Sequence, residues 1–257
     1  MLLAVDIGNS AIKFGLFEGD TLTSKFSIPT KRDATSDEIR LAVGDHLSGK
    51  LERAIVCSVV PEIESAIRSF LSDSVESEPV FVDNSFDFGL KINYEPLSSL
   101  GTDRLVVAYA AVERHGVPCI VCSLGTATTI DVVSDSREFL GGVIAPGVDA
   151  MSEALHLKAA KLPHVEPTRS NTVLGNSTVD AIRSGVYYGY VALVEGLVTR
   201  IRTESGVSRI VATGGNASRL ASELSGMVTV DEDLVLHGLK ILSTDTISTE
   251  PVATPAA

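Results

Sequence analysis

The sequence predicts an α/β protein built as two similar halves. Three observations carry this. Apolar runs of strand length alternate with stretches of helical periodicity. The 257 residues exceed a single domain of about 150 residues and suit two modest ones. A strand–turn–strand pattern also occurs twice. Leu3-Ala4-Val5-Asp6-Ile7-Gly8-Asn9-Ser10-Ala11-Ile12 aligns with Ile120-Val121-Cys122-Ser123-Leu124-Gly125-Thr126-Ala127-Thr128-Thr129, an offset of 117 residues from Asp6 to Ser123. Two copies at that offset nearly fill the chain. The boundaries predicted are 1–116, 117–243 and a disordered tail at 244–257.

Residues 2–5 and 12–17 are apolar-rich runs around a tight turn, a strand pair. Ile39, Leu41, Val43 and Leu47 give helical spacing from Ser36, a plausible N-cap. Ala54 to Val60 is a buried strand ended by Pro61, followed by a helix through Leu71 and a strand at Val80–Val82. Thr102 to His115 is helical, stopping near Gly116 and Pro118. Ile120 to Ser134 repeats the strand, turn and strand. Helices follow Pro146-Gly147 and run from Thr178, as cap, to about Glu204. Ile210 to Ala212 is a strand opening onto Thr213-Gly214-Gly215-Asn216, with a helix beyond.

The formal net charge of −12 argues against a nucleic-acid-binding protein, which needs a basic face. It does not exclude a phosphorylated ligand, because backbone N–H groups hold phosphate without lysine. Half of that charge lies between Glu62 and Asp87, where seven acids face Arg68 alone, and reads as a solvated surface. No apolar run approaches the roughly 20 residues of a membrane span. The start meets Asp6 too early for a signal-peptide core, so a cytoplasmic location is expected. Three cysteines are no disulfide framework. Cys119-Ile120-Val121-Cys122 reads as a buried strand with its cysteines on opposite faces rather than a redox or zinc motif.

Two facing hairpin turns would offer two sets of N–H groups to one polyphosphate, with Gly8 and Gly125 allowing close approach. Neither turn is a Walker A loop, and no G-x-G-x-x-G follows a strand. With Ser58-Val59-Val60-Pro61, Gly101-Thr102-Asp103-Arg104, Gly125-Thr126-Ala127-Thr128-Thr129, Gly141 to Gly147, Leu162-Pro163, Gly175 to Thr178, Thr213-Gly214-Gly215 and Asp233 to Leu239, the order and spacing of motifs resemble the type III pantothenate kinases. That family lies within the actin, sugar-kinase and Hsp70 ATPase superfamily.

The resemblance implies two ribonuclease-H-like (actin-like ATPase) domains with mixed sheets flanked by helices, and ATP in the cleft between them. It implies a homodimer that phosphorylates pantothenate as the first step of coenzyme A biosynthesis, with Mg²⁺ and a monovalent cation, K⁺ or NH₄⁺. Asp6 would hold Mg²⁺ through water, although a lone Asp in a turn also serves as an Asx cap. Gly8, Asn9 and Ser10 would form one phosphate loop and Gly125, Thr126, Ala127 and Thr128 the other. Gly214 and Gly215 match the adenosine-side turn. Asp103 matches the catalytic aspartate, a carboxylate able to accept the substrate's hydroxyl proton, although an acid there also favours the helix dipole. Tyr94, Gly101, Thr102, Arg104 and Thr178 match the pantothenate pocket, whose ligand offers a carboxylate, an amide and hydroxyls. His156 reads as a helix-surface histidine.

One position departs from the family pattern. Asp-x-Gly-Thr-x-x-Thr becomes Ser123-Leu124-Gly125-Thr126-Ala127-Thr128-Thr129, and Ser123 keeps a hydroxyl but loses the charge. A monovalent cation held partly by that carboxylate would bind more weakly. Three readings follow: an active enzyme with altered cation dependence, a weak one, or an inactive homologue that binds nucleotide or acts in regulation.

Overall fold

In a computed structural model, which describes residues 1–47, 50–224 and 228–248, the chain divides into two compact units. Of the described residues, one comprises those within 1–89, 95–110 and 235–248; the other comprises those within 90–94 and 111–234.

The first unit opens with β1 (Leu2–Ile7), β2 (Ala11–Glu18) and β3 (Thr21–Pro29), a meander in which β1 is buried throughout. Then come α1 (Ser36–Val43), β4 (Arg53–Ser58), α2 (Pro61–Ser72) and β5 (Val80–Val82). The sheet order is β3-β2-β1-β4-β5, with β4 and β5 added in parallel. Ile39, Val43, Ile63, Ile67 and Phe70 of the two helices close a core on Leu3, Val5, Ile7 and Val56. The cap of α1 is Thr35, one residue before the predicted Ser36, because Thr35 and Glu38 form a reciprocal capping box.

The second unit contains β6 (Lys91–Ile92), β7 (Cys119–Leu124), β8 (Ala127–Val133), β9 (Glu138–Pro146), α4 (Val148–Lys158), α5 (Thr178–Ser205), β10 (Ile210–Thr213), α6 (Ala217–Ala221) and β11 (Val228–Val230). Its order is β11-β10-β7-β8-β9-β6. The hairpin-then-parallel arrangement of β1 to β5 recurs strand for strand in β7, β8, β9, β10 and β11. The 28-residue α5 covers this sheet through Ile182, Val186, Tyr190, Val194 and Val198. Its cap is Ser177, whose hydroxyl accepts from the Asp180 amide, so Thr178 is the first helical residue. The left-handed Gly206 ends it.

The helix α3 (Thr102–His115) carries the division between the units, which falls after residue 110, six residues before the expected boundary after 116. The C-terminal helix α7 (Leu234–Ser248) is grouped from Val235 with the first unit, not with the second half where the sequence placed it. The reason is packing. A Cβ on Gly238 would lie 2.8 Å from the Val106 carbonyl of α3, so glycine lets the two helices meet closely, and Leu236 reaches Gly15 of β2. Residues 244–248, predicted as disordered tail, complete α7; 249–257 lie outside the described residues.

Candidate active site

In the first unit, β1 ends at Ile7 and the chain reverses through Gly8, Asn9 and Ser10, closed by the Gly8 amide donating to the Ala11 carbonyl at 3.1 Å. Asp6 precedes this turn and is 8% exposed. Pairing of β1 with β2 sets it opposite Lys13, whose Nζ lies 3.6 Å from Asp6 Oδ2. Burial pushes the Asp6 carboxyl up, Lys13 pulls it down, and the negative charge of Asp103 raises it again. Asp6, Lys13 and Asp103 therefore share one electrostatic site. Burial also raises Asp103, against the opposing Arg104 amide, Arg104 guanidinium and Lys13.

Asp103 stands in the first turn of α3, its Oδ1 accepting from the Arg104 amide at 2.9 Å. Gly101 makes room for it: a Cβ there would come 2.5 Å from Asp103 Oδ1. Asn84 pins the approach, donating to the Leu97 and Leu100 carbonyls and accepting from the Thr102 hydroxyl. Arg104 is buried in the helix. Lys13 lies inside the apolar-rich run 12–17 and is not legible from it. The alternation of Ile12, Phe14 and Leu16 into the core sets Lys13 on the opposite face and was the available signal.

In the second unit, the Gly125–Ala127 turn joins β7 to β8, with Gly125 N donating to Ala127 O and the Gly147 amide to Thr126 O, both at 3.1 Å. Thr126 and Ala127 are exposed. Thr128 is not. Its hydroxyl is fully buried, 2.6 Å from the Tyr190 hydroxyl of α5, which corrects the expectation of an exposed phosphate donor. Strand alternation turns Thr128 into the core, where it anchors the turn.

The Gly214-Gly215 turn lies beside the Gly125 turn. Asn216 N donates to Leu124 O at 3.0 Å, and Gly214, at φ +93°, leaves no room for a Cβ 2.8 Å from that carbonyl. Ser123 pairs with Thr129 on one side and Thr213 on the other, so three hydroxyl residues stand abreast on one sheet face. Tyr94 and Thr178 belong to this second unit, whereas Gly101, Thr102 and Arg104 belong to the first. Tyr94 is tilted against Phe139, and Thr178 is exposed at the start of α5.

The C-x-x-C cysteines are buried and unbridged. Burial pushes Cys119 to about 11 and Cys122 to about 12, which leaves both protonated and unreactive at neutral pH. Among the described residues no group of three or more His, Cys, Asp or Glu could hold a metal ion. His156 is exposed on α4, its Nδ1 3.0 Å from the Leu162 carbonyl, as a surface histidine would be.

Comparison with known proteins gives one consistent result. A model of the type III pantothenate kinase family matches residues 2–200. A type III pantothenate kinase from Rhodospirillum rubrum is 41% identical over 250 residues, covering 94% of this chain and 97% of that one. Another, from Brevibacillus brevis, is 39% identical over 249 residues, covering 94% and 98%. The fold also matches a ROK-family glucokinase from Streptomyces griseus in complex with glucose and AMPPNP. That match has a TM-score of 0.52 at 12% identity and covers 94% of this chain and 98% of that one, a likeness of fold alone.

Proposed function

The chain belongs to the type III pantothenate kinase family, and on that premise we propose that Asp6, Lys13 and Asp103 are the catalytic centre of an ATP-dependent pantothenate kinase. The observation that carries this is a buried Asp6 carboxylate paired with Lys13 and electrostatically coupled to the half-buried carboxylate of Asp103. Phosphoryl transfer asks a protein chiefly to position groups and offset charge. Asp103 accepts the proton of the pantothenate hydroxyl as that oxygen bonds to the γ-phosphorus and the bond to ADP breaks. Burial raises the Asp103 pKa, which makes it a better base than an ordinary aspartate.

Asn9 and Ser10 donate to ATP phosphate, as do Thr126 and Ala127, while Gly8 and Gly125, which lack a Cβ, let it approach the backbone closely and Thr128 fixes the second turn from below. Gly214 and Gly215 receive the adenosine. Tyr94, Gly101, Thr102, Arg104 and Thr178 contact pantothenate. The Asp6 carboxyl suits Mg²⁺: it is a buried oxygen donor that feels the Asp103 charge, so a cation there would offset the burial and repulsion that raise it. Bound there, Mg²⁺ would offset phosphate charge.

The Ser123 position fits a carboxylate-held K⁺ or NH₄⁺ poorly, because Ser123, Thr129 and Thr213 supply only neutral oxygens. We therefore favour an active kinase with weakened monovalent-cation dependence. A cytoplasmic homodimer completes the reading. The test is a coupled assay of ADP release with and without pantothenate and K⁺. Release that requires pantothenate supports the kinase; absence of turnover at high K⁺ defeats it.

A further inference from the structure

The segment after β3 grips the first phosphate turn at three consecutive residues. Thr30 donates its hydroxyl to the Gly8 carbonyl at 2.6 Å and its amide to the Ser10 carbonyl at 3.1 Å. Between them, Arg32 Nη2 donates to Asn9 Oδ1 at 3.1 Å, while its Nη1 donates to Glu62 Oε1 at 2.8 Å. Glu62 lies in the first turn of α2, so the guanidinium bridges the turn to a helix of the same unit.

Fold stability does not account for this bridge. Arg32 is 58% and Glu62 50% exposed, and exposed ion pairs contribute little. Its chemical effect falls on Asn9. An amide side chain has one acceptor and one two-proton donor, whereas a guanidinium has donors only. Arg32 can therefore take only the amide oxygen, which turns the Asn9 Nδ2 group to the other side. Thr30 meanwhile occupies the two neighbouring carbonyls. Three acceptors of the turn are thereby occupied by Thr30 and Arg32. Phosphate brings only acceptors, so a turn that receives it must present donors.

We propose that Arg32 is a positioning residue for ATP: held by Glu62, it fixes the orientation of the Asn9 amide so that its Nδ2 donates to a phosphate oxygen. This rests on the kinase reading above. Glu62 sets the height of the guanidinium, and Arg32 acts through Asn9 rather than on the nucleotide itself.

The test measures equilibrium ATP binding by calorimetry for the wild type, Arg32→Ala, Arg32→Lys, Asn9→Ala and the double variant, with melting temperatures alongside. Arg32→Ala is expected to weaken ATP binding about three- to tenfold at unchanged melting temperature, the loss of one charge-assisted contact at an exposed site. It should raise KM for ATP and leave KM for pantothenate unchanged. Arg32→Lys should restore part of the affinity. In the Asn9→Ala background, removing Arg32 should cost nothing further, because the two act as a unit. Wild-type affinity in Arg32→Ala would overturn the proposal. So would an Arg32 effect of the same size with Asn9 absent, which would mark a direct charge effect. A wild-type protein that binds no ATP would instead remove the kinase reading and this proposal with it.

Discussion

Asp103 shows how a single carboxylate acquires a task. Burial raises its pKa and Arg104 only partly opposes that, so the group gives up stability for basicity. Asp103→Asn should lower kcat by about 10²–10⁴-fold, the usual yield of a positioned base, with pantothenate binding retained. The pH dependence has two signs. Activity needs the ionised form, so kcat should fall as pH drops through the raised pKa. Stability runs the other way. A raised carboxyl binds its proton more tightly in the native state, so its contribution is full below the ordinary value of 3.8 and is lost as pH rises through the folded value. Asp103→Asn should therefore raise the melting temperature at pH 7 and change it less near pH 3.8. A melting temperature lowered at pH 7 would contradict the assignment of burial as the dominant cause. Asp103, Asp6 and the turn glycines were readable in the sequence because each sits at a motif with fixed spacing. Lys13 and Arg32 were not. Lys13 becomes visible only through hairpin register, and Arg32 only through a loop that returns 23 residues later to Asn9.

At the scale of elements, the turns depend on glycine where a side chain would strike backbone. Gly214 combines φ +93° with a Leu124 carbonyl 2.8 Å from the position of a Cβ. Gly214→Ala should destabilise the protein by roughly 1–3 kcal/mol, the cost of a strained backbone, seen as a lower urea midpoint. Gly101→Ala acts differently. Its φ is ordinary, but its Cβ would meet a mobile carboxylate 2.5 Å away, so Asp103 moves and the fold does not. About a tenfold or greater fall in kcat at near wild-type stability is expected, since small displacements of a reacting group are costly. Most helices and the β1, β4, β7 and β10 strands were readable from periodicity and apolar runs. The strands β3 and β9 were not, since their solvated faces break the apolar run. Caps shifted by one residue because Thr35-Ser36 and Ser177-Thr178 each offer two hydroxyls in succession, and only hydrogen bonding chooses between them.

The duplicated strand order is the feature of the whole molecule that the sequence showed most directly, through one hairpin repeated 117 residues on. What the repeat concealed was α7, which packs with the first unit although it comes last in sequence. Duplication also left the copies unequal, with Asp6 in one and Ser123 in the other. Ser123→Asp should add a charge between Thr129 and Thr213 and make activity rise more steeply with K⁺; an unaltered K⁺ titration would separate this position from cation binding. The surface of the second unit bears on assembly. Ala150, Met151, Ala154 and Leu155 of α4 and Ala181, Ile182, Gly185 and Val186 of α5 line an apolar groove of about 880 Å³. Leu157 on α4 is 70% exposed and Val179 on α5 is 40% exposed. In the homodimer proposed above, the small residues along both walls would let a second copy approach closely. Light scattering should give about twice the 27.1 kDa chain mass for the wild type. Ala181→Glu, which sets an unpaired charge in the groove, should shift the protein to monomer without lowering its melting transition to that of an unfolded chain. A monomeric wild type would overturn the dimer itself, and a dimer indifferent to Ala181→Glu would place the assembly surface elsewhere.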